Sequence, residues 1–102
     1  MLPAKIHLVG IGGSGMASIA QYLLASGRTV SGSDRARTAI TDELARDGAR
    51  IAQGHDEALL DGAELVVVSD AIPPGNVELE GAHSRGIPVM RRAECLNLLR
   101  ED

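Results

Sequence analysis

The sequence predicts an α/β domain, a Rossmann-like three-layer fold with a five-stranded parallel sheet in the order 3-2-1-4-5. Three observations predict it. Short β-like apolar runs alternate with segments of helical spacing along the chain. The run Glu64-Leu65-Val66-Val67-Val68-Ser69 is unbroken and β-branched, as in a strand buried on both faces at the middle of a parallel sheet. A glycine-rich turn, Gly10 to Gly15, stands directly between the first strand and the first helix.

The elements follow in order. Ile6 to Val9 is a short apolar run, interrupted by His7 and ending at Gly10. Met16, Ile19, Ala20, Leu23 and Leu24 recur at helical spacing on one face, and Gly27 closes that helix. Thr29 to Gly32 is a second strand, leading into Ser33-Asp34. A second helix is predicted from about Thr38 to Asp47, with Ile40 and Leu44 inward and Gly48 ending it. Ala49 to Ala52 reads as the third strand, and Asp56 as the N-cap of a short helical turn to Leu60. After the Glu64–Ser69 strand, Asn76 caps a helix through Arg85 that Gly86 ends. Ile87 to Met90 is the fifth strand, and Ala93 to Leu99 starts a last helix. In this strand order the ligand crevice lies at the carboxyl ends of strands one and four, where the order reverses.

A chain of 102 residues fits one domain, with an aliphatic core because Phe and Trp are absent and Tyr22 is the sole aromatic residue. The net charge of −4 and the lack of aromatic platforms argue against nucleic acid as a partner. Cys95 is the single cysteine, so no disulfide framework or multi-cysteine zinc site forms within the chain. No apolar run is long enough to cross a bilayer, and Met1-Leu2-Pro3-Ala4-Lys5 lacks a signal-peptide layout. The reading is of a cytoplasmic chain without a membrane partner. It stops in or just after a helix, as the first piece of something longer would.

The chemistry-bearing residues fall in the loops at the carboxyl ends of the strands. Gly10-Ile11-Gly12-Gly13-Ser14-Gly15 has the spacing G-x-G-x-x-G. Glycines there allow a tight turn and let phosphate oxygens approach backbone N–H groups, while the helix start adds unpaired donors and about half a positive charge. The alternative is a turn that only packs helix on strand. Asp34, 19 residues after Gly15, is placed to accept hydrogen bonds from a ribose, with Ser33 beside it, or else to cap the next turn. His55, after Gly54, can meet a base or sit on the surface beside Asp56; His7 and His83 read as structural or solvated.

Ser69, across the crevice, can donate to a phosphate or sugar. Asp70 would be repelled by a diphosphate, so it points away, caps its turn or meets an arginine. Arg91-Arg92 offers anion donors, or a structural pairing with Glu94 or Asp70. No nucleophile–base arrangement or metal-ligand cluster stands out, and no catalytic residue is assigned. Lys5 is the sole lysine and precedes the glycines, which excludes a P-loop.

The string His7-Leu8-Val9-Gly10-Ile11-Gly12-Gly13-Ser14-Gly15-Met16 resembles the opening of the Mur ligases of peptidoglycan synthesis, in their alanine-adding branch. The resemblance continues through Val30-Ser31-Gly32-Ser33-Asp34, Gly54-His55, Val66-Val67-Val68-Ser69 with Ala71-Ile72, and Gly86-Ile87-Pro88-Val89 with Arg91-Arg92-Ala93-Glu94. It implies an amino-terminal domain, residues 1–102, that binds the UDP portion of UDP-N-acetylmuramic acid. Family ligases form an amide bond at the expense of ATP, through an acyl phosphate and with magnesium. That work lies in a central ATPase domain and a carboxyl-terminal domain outside these residues, so this chain alone is expected to bind no cofactor and to be inactive.

Carried over by position, Gly12, Gly13, Ser14, Gly15 and Met16 would surround the diphosphate. Ser33, Asp34, Gly54 and His55 would line the uridine pocket, and Ser69, Ala71 and Ile72 its opposite wall. Two positions depart from the family pattern: Asp70 stands where a second Ser is common, and Asn76-Val77-Glu78 where Asn-Pro-Glu is. The sister ligase that recycles murein tripeptide shares the plan, and the Arg-Arg-Ala-Glu segment favours the alanine branch. Without the resemblance, the glycine spacing and Asp34 point to an NAD(H)-binding domain of a dehydrogenase or regulatory module. Gly13, Met16 and Gly54-His55 favour the ligase. A stand-alone, non-catalytic domain derived from the ligase is the third reading.

Overall fold

A computed structural model describes residues 2–100. Five parallel strands, β1 (Lys5–Val9), β2 (Thr29–Asp34), β3 (Arg50–Gln53), β4 (Leu65–Val68) and β5 (Val89–Arg91), form one sheet. Their order is β3-β2-β1-β4-β5, the order expected of this fold class. The helices are α1 (Met16–Ala25), α2 (Ala39–Arg46), α3 (Val77–Arg85) and α4 (Arg92–Leu99); a 3-10 turn, Glu57–Leu60, links β3 to β4.

Register follows from side-chain alternation. In β1, Ile6 and Leu8 point to one face and His7 and Val9 to the other. His7 pairs with Ser31 and Val66, and Val9 with Ser33 and Val68, so these side chains share a face. The Ile6–Leu8 face packs against α1, α2 and α4 through Met16, Ile19, Leu23, Leu44 and Cys95. The opposite face packs Val9, Val66 and Val68 against Leu60 and Ala82, beneath α3 and the 3-10 turn. All four β4 residues are buried, because helices cover the centre of the sheet on both sides.

The second helix corrects one expectation. Leu44 is buried as predicted, but Ile40 is 48% exposed, and Thr41 takes the inward place in the first turn. A reciprocal cap sets this phase: Thr38 N–H donates to Thr41 Oγ1 at 2.9 Å, and Thr41 N–H donates to Thr38 Oγ1 at 3.3 Å. Predicted element ends elsewhere move by a few residues. The second strand continues through Asp34, which carries Ser33 and Asp34 onto the sheet itself.

Because only a 3-10 turn crosses from β3 to β4, the β2–β3 side of that face is thinly covered. An open groove of about 530 Å³ remains there, with Ile6, Ser31, Ile51, Ala52 and Leu59 among its lining. The groove also touches Lys5, Thr29 and Arg50, at the amino ends of the strands and away from the glycine turn. No helix among the described residues is long and apolar enough to cross a membrane.

Candidate functional site

The turn after β1 is held by its own backbone. Gly10 and Ile11 donate to the Ser33 carbonyl at 2.8 and 3.0 Å, Gly13 to the Gly10 carbonyl at 2.8 Å, and Met16 to the Gly13 carbonyl at 3.0 Å. Gly10 and Gly15 both have φ of 78°, in the left-handed region where a side chain is strained. Gly12 N–H donates to Asp34 Oδ2 at 3.0 Å. Ser14 and Gly15 are exposed residues, and their amides donate to no acceptor among the described residues. Helix α1 has no side-chain cap and no acid in its first turn, so its positive end is left open.

The opposite wall touches this turn. A Cβ at Gly13 would lie 2.6 Å from Ser69 Oγ and 3.0 Å from the Gly10 carbonyl oxygen; one at Gly10 would lie 2.9 Å from Ser69 Cβ and 3.2 Å from Ile72 Cδ1. The predicted diphosphate turn and the Ser69–Ile72 wall are therefore in direct contact. Ser69 Oγ accepts from Ala71 N–H at 3.3 Å, which shapes the start of that wall. Met16 contributes only its backbone here, since its side chain is fully buried in the core.

Asp70 meets an arginine, one of the alternatives its sequence context left open. Arg92 Nε and Nη2 donate to Asp70 Oδ2 at 3.2 and 3.1 Å. The same arginine lies over Gly15, where a Cβ would come within 2.9 Å of Arg92 Cδ. Arg92 thus spans from the glycine turn to the Ser69–Asp70 loop. Glu94 instead accepts the Arg91 backbone N–H at 3.0 Å.

On the sheet's other face, sequence reasoning missed the central residue. Glu78, in the first turn of α3, is fully buried and accepts four donors. Oε1 receives His7 Nε2 at 2.6 Å and Ser33 Oγ at 2.8 Å. Oε2 receives His55 Nδ1 at 2.9 Å and Asp56 N–H at 3.1 Å. His7 Nδ1 lies 2.8 Å from Ser31 Oγ, extending the chain of bonds along the sheet. Burial pushes the Glu78 carboxyl up, but the bonds from His7 and Ser33, the His7 charge and the His55 bond together hold it below its ordinary value.

Ser33 is fully buried with its hydroxyl committed to Glu78, and His55 stands at the edge with 21% of its side chain exposed. Gly54 N–H donates to the Asp34 carbonyl at 2.7 Å, which joins the ends of β2 and β3 and sets His55 beside them. The signals available were local: a histidine interrupting an apolar run, a histidine after a strand, and an acid two residues past a capping Asn. No spacing rule links them.

Comparison with known proteins gives one consistent result. Residues 5–101 match the family described as Mur ligase family, catalytic domain. The UDP-N-acetylmuramate–L-alanine ligase of Jannaschia sp. (strain CCS1) is 53% identical over 92 residues, covering 90% of this chain and 19% of that protein. The ligase of the same name from Ruegeria pomeroyi is 54% identical over 91 residues, 89% of this chain and 20% of its own length. Among solved structures, the UDP-N-acetylmuramate–alanine ligase of Thermotoga maritima superposes with a TM-score of 0.88 at 32% identity, covering 96% of this chain and 23% of that one. A murein peptide ligase from Psychrobacter arcticus gives a TM-score of 0.84 at 31% identity, covering 92% and 20%. The chain spans about a fifth of the length of the curated relatives it matches. The matched family model covers almost every residue, and the chain belongs to the Mur ligase family.

Proposed function

We propose that this chain is the substrate-holding domain of an ATP-dependent UDP-N-acetylmuramate–L-alanine ligase of peptidoglycan synthesis, and that its crevice binds the UDP portion of UDP-N-acetylmuramic acid. The observation that carries this is the open turn at the head of α1, where Ser14 and Gly15 N–H groups lack acceptors. Two free amides at the positive end of an uncapped helix suit a diphosphate. Gly12, Gly13 and Met16 shape the turn, with their own amides engaged inside the protein.

Ser69, Ala71 and Ile72 close the far side. Asp34, Gly54 and His55 form the uridine end, with Ser33 behind them. Asp34 already accepts from Gly12 N–H, so the acid that suggests a dinucleotide also braces the turn. The names of the relatives favour a UDP-sugar over NAD(H).

In this reading the domain orients its substrate and the bond-making lies elsewhere in the parent enzyme. ATP and magnesium would supply phosphoryl activation there. In this chain Lys5 lies at the start of β1, at the far end of that strand from the glycine turn.

Titration with UDP-N-acetylmuramic acid, UDP and NADH, read by calorimetry or thermal shift, tests the proposal. A hundredfold excess over Kd should stabilise the chain by about 2.7 kcal/mol. Response to the uridine ligands without response to NADH supports it; response to NADH alone rejects it.

A further inference from the structure

The Glu78 cluster has a consequence for base recognition that the phosphate turn does not carry. All four groups on the Glu78 carboxylate must donate to it. Asp56 contributes a backbone N–H, which has no other option. The Ser33 hydroxyl and His7 Nε2 donate to Oε1. His55 must then hold its proton on Nδ1, facing Oε2 at 2.9 Å and lying 3.1 Å from Ser33 Oγ. In the uncharged ring this leaves Nε2, the ring nitrogen away from the Glu78 carboxylate, without a proton and so a hydrogen-bond acceptor, in a side chain that is 21% exposed.

An acceptor facing ring position 3 distinguishes pyrimidines. Uracil carries hydrogen on N3, whereas cytosine has a lone pair on N3 and would meet His55 Nε2 as a second acceptor. We infer that Glu78 is a positioning residue: by fixing the tautomer of His55 it sets Nε2, an acceptor, against N3 of the base and so selects uracil over cytosine. The inference rests on the uridine reading of the crevice and deepens it. Glu78 does not touch the ligand; it acts through His55.

Glutamine and methionine separate positioning from mere support. With Glu78→Gln, the side-chain oxygen must face Asp56 N–H, because that donor cannot reverse, and His55 Nδ1–H keeps the same acceptor. His7 Nε2 can instead accept from the amide NH2, with the ring proton on Nδ1 toward Ser31 Oγ. Glu78→Met removes the acceptor and frees the His55 ring.

Two measurements test this. Nitrogen-15 NMR of labelled histidine in the ligand-free chain should show His55 protonated on Nδ1 in the wild type and in Glu78→Gln, but not predominantly so in Glu78→Met. Titration with UDP and CDP should give a preference for UDP of roughly tenfold or more in the wild type. Glu78→Gln should keep it, while Glu78→Met and His55→Ala should bring the two ligands within about threefold. Should Glu78→Met fail to fold, the wild-type tautomer and His55→Ala decide the matter. His55 protonated on Nε2 in the wild type, or a UDP preference unchanged in His55→Ala, overturns the inference. Equal response to UDP and CDP overturns it while leaving the UDP-binding proposal standing. No response to UDP, UDP-N-acetylmuramic acid or CDP removes both.

Discussion

At the carboxyl end of β1, the Gly10–Gly15 turn leaves the Ser14 and Gly15 amides without protein acceptors. On the other face of the sheet, the Glu78 carboxylate is saturated by four donors. The first region is backbone, exposed and unsatisfied; the second is side chain, buried and complete. An exposed amide costs little while water meets it, so it can wait for a ligand. A buried carboxylate has no such reserve and is tolerated only when every lone pair is engaged. In the proposed function the open region holds the ligand, and the closed one sets the geometry of the residues beside it.

The contrast breaks most sharply at Glu78. Glu78→Ala strands the Asp56 amide and removes the acceptor for His7, Ser33 and His55, so it should cost about 3–5 kcal/mol in urea unfolding. That is a large share of the 5–15 kcal/mol or so that holds an ordinary domain together. A loss under 1 kcal/mol would show that water reaches the cluster and that it is not closed.

Gly13→Val comes next. Its Cβ would meet Ser69 Oγ and the Gly10 carbonyl, so the glycine is required by the contact between the two walls as well as by any phosphate. Overpacking should lower stability by about 1–3 kcal/mol, and the response to UDP should vanish. A variant as stable as wild type would mean that the walls part easily.

Acid sharpens the same comparison. The folded Glu78 carboxyl titrates below its ordinary value, whereas in the unfolded chain it titrates near 4.3. Its contribution is therefore complete above about pH 4.3 and is lost as pH falls through the lower folded value. Unfolding free energies measured from pH 6 down to about pH 3 should decline, and Glu78→Gln should flatten part of that decline. An identical slope in the variant would assign acid lability to other carboxylates.

The smallest effect is expected at Asp70. Its side chain is 61% exposed, so the pair with Arg92 should contribute no more than about 1 kcal/mol to stability. Asp70→Ser should leave the unfolding midpoint nearly unchanged while reducing negative charge beside the open turn, and affinity for UDP should rise a few-fold at low salt. Unchanged affinity would place Asp70 outside the field that the turn presents.

Much of the architecture was legible because it rests on local rules. The β-branched run at Leu65–Val68 required burial on both faces, and the strand–helix alternation required parallel pairing. Gly10–Gly15 announced a tight turn at a helix start. Ile40 shows the limit of periodicity: an apolar residue at a plausible position lost its inward place to Thr41, because the Thr38–Thr41 cap set the helix phase. Asp70 remained open in sequence because its partner, Arg92, lies 22 residues away on α4.

The sequence by itself determined the alternation of strands and helices, the glycine turn and the resemblance to the Mur ligases, since each is written in short-range spacing and composition. Only the tertiary structure decided which amides the turn leaves open, where Asp70 finds its arginine, and that Glu78 joins His7, Ser33 and His55. His7 and Glu78 are 71 positions apart. Nothing local marks such a bond, because the cost of burying a carboxylate is met only by donors that the assembled sheet brings to it.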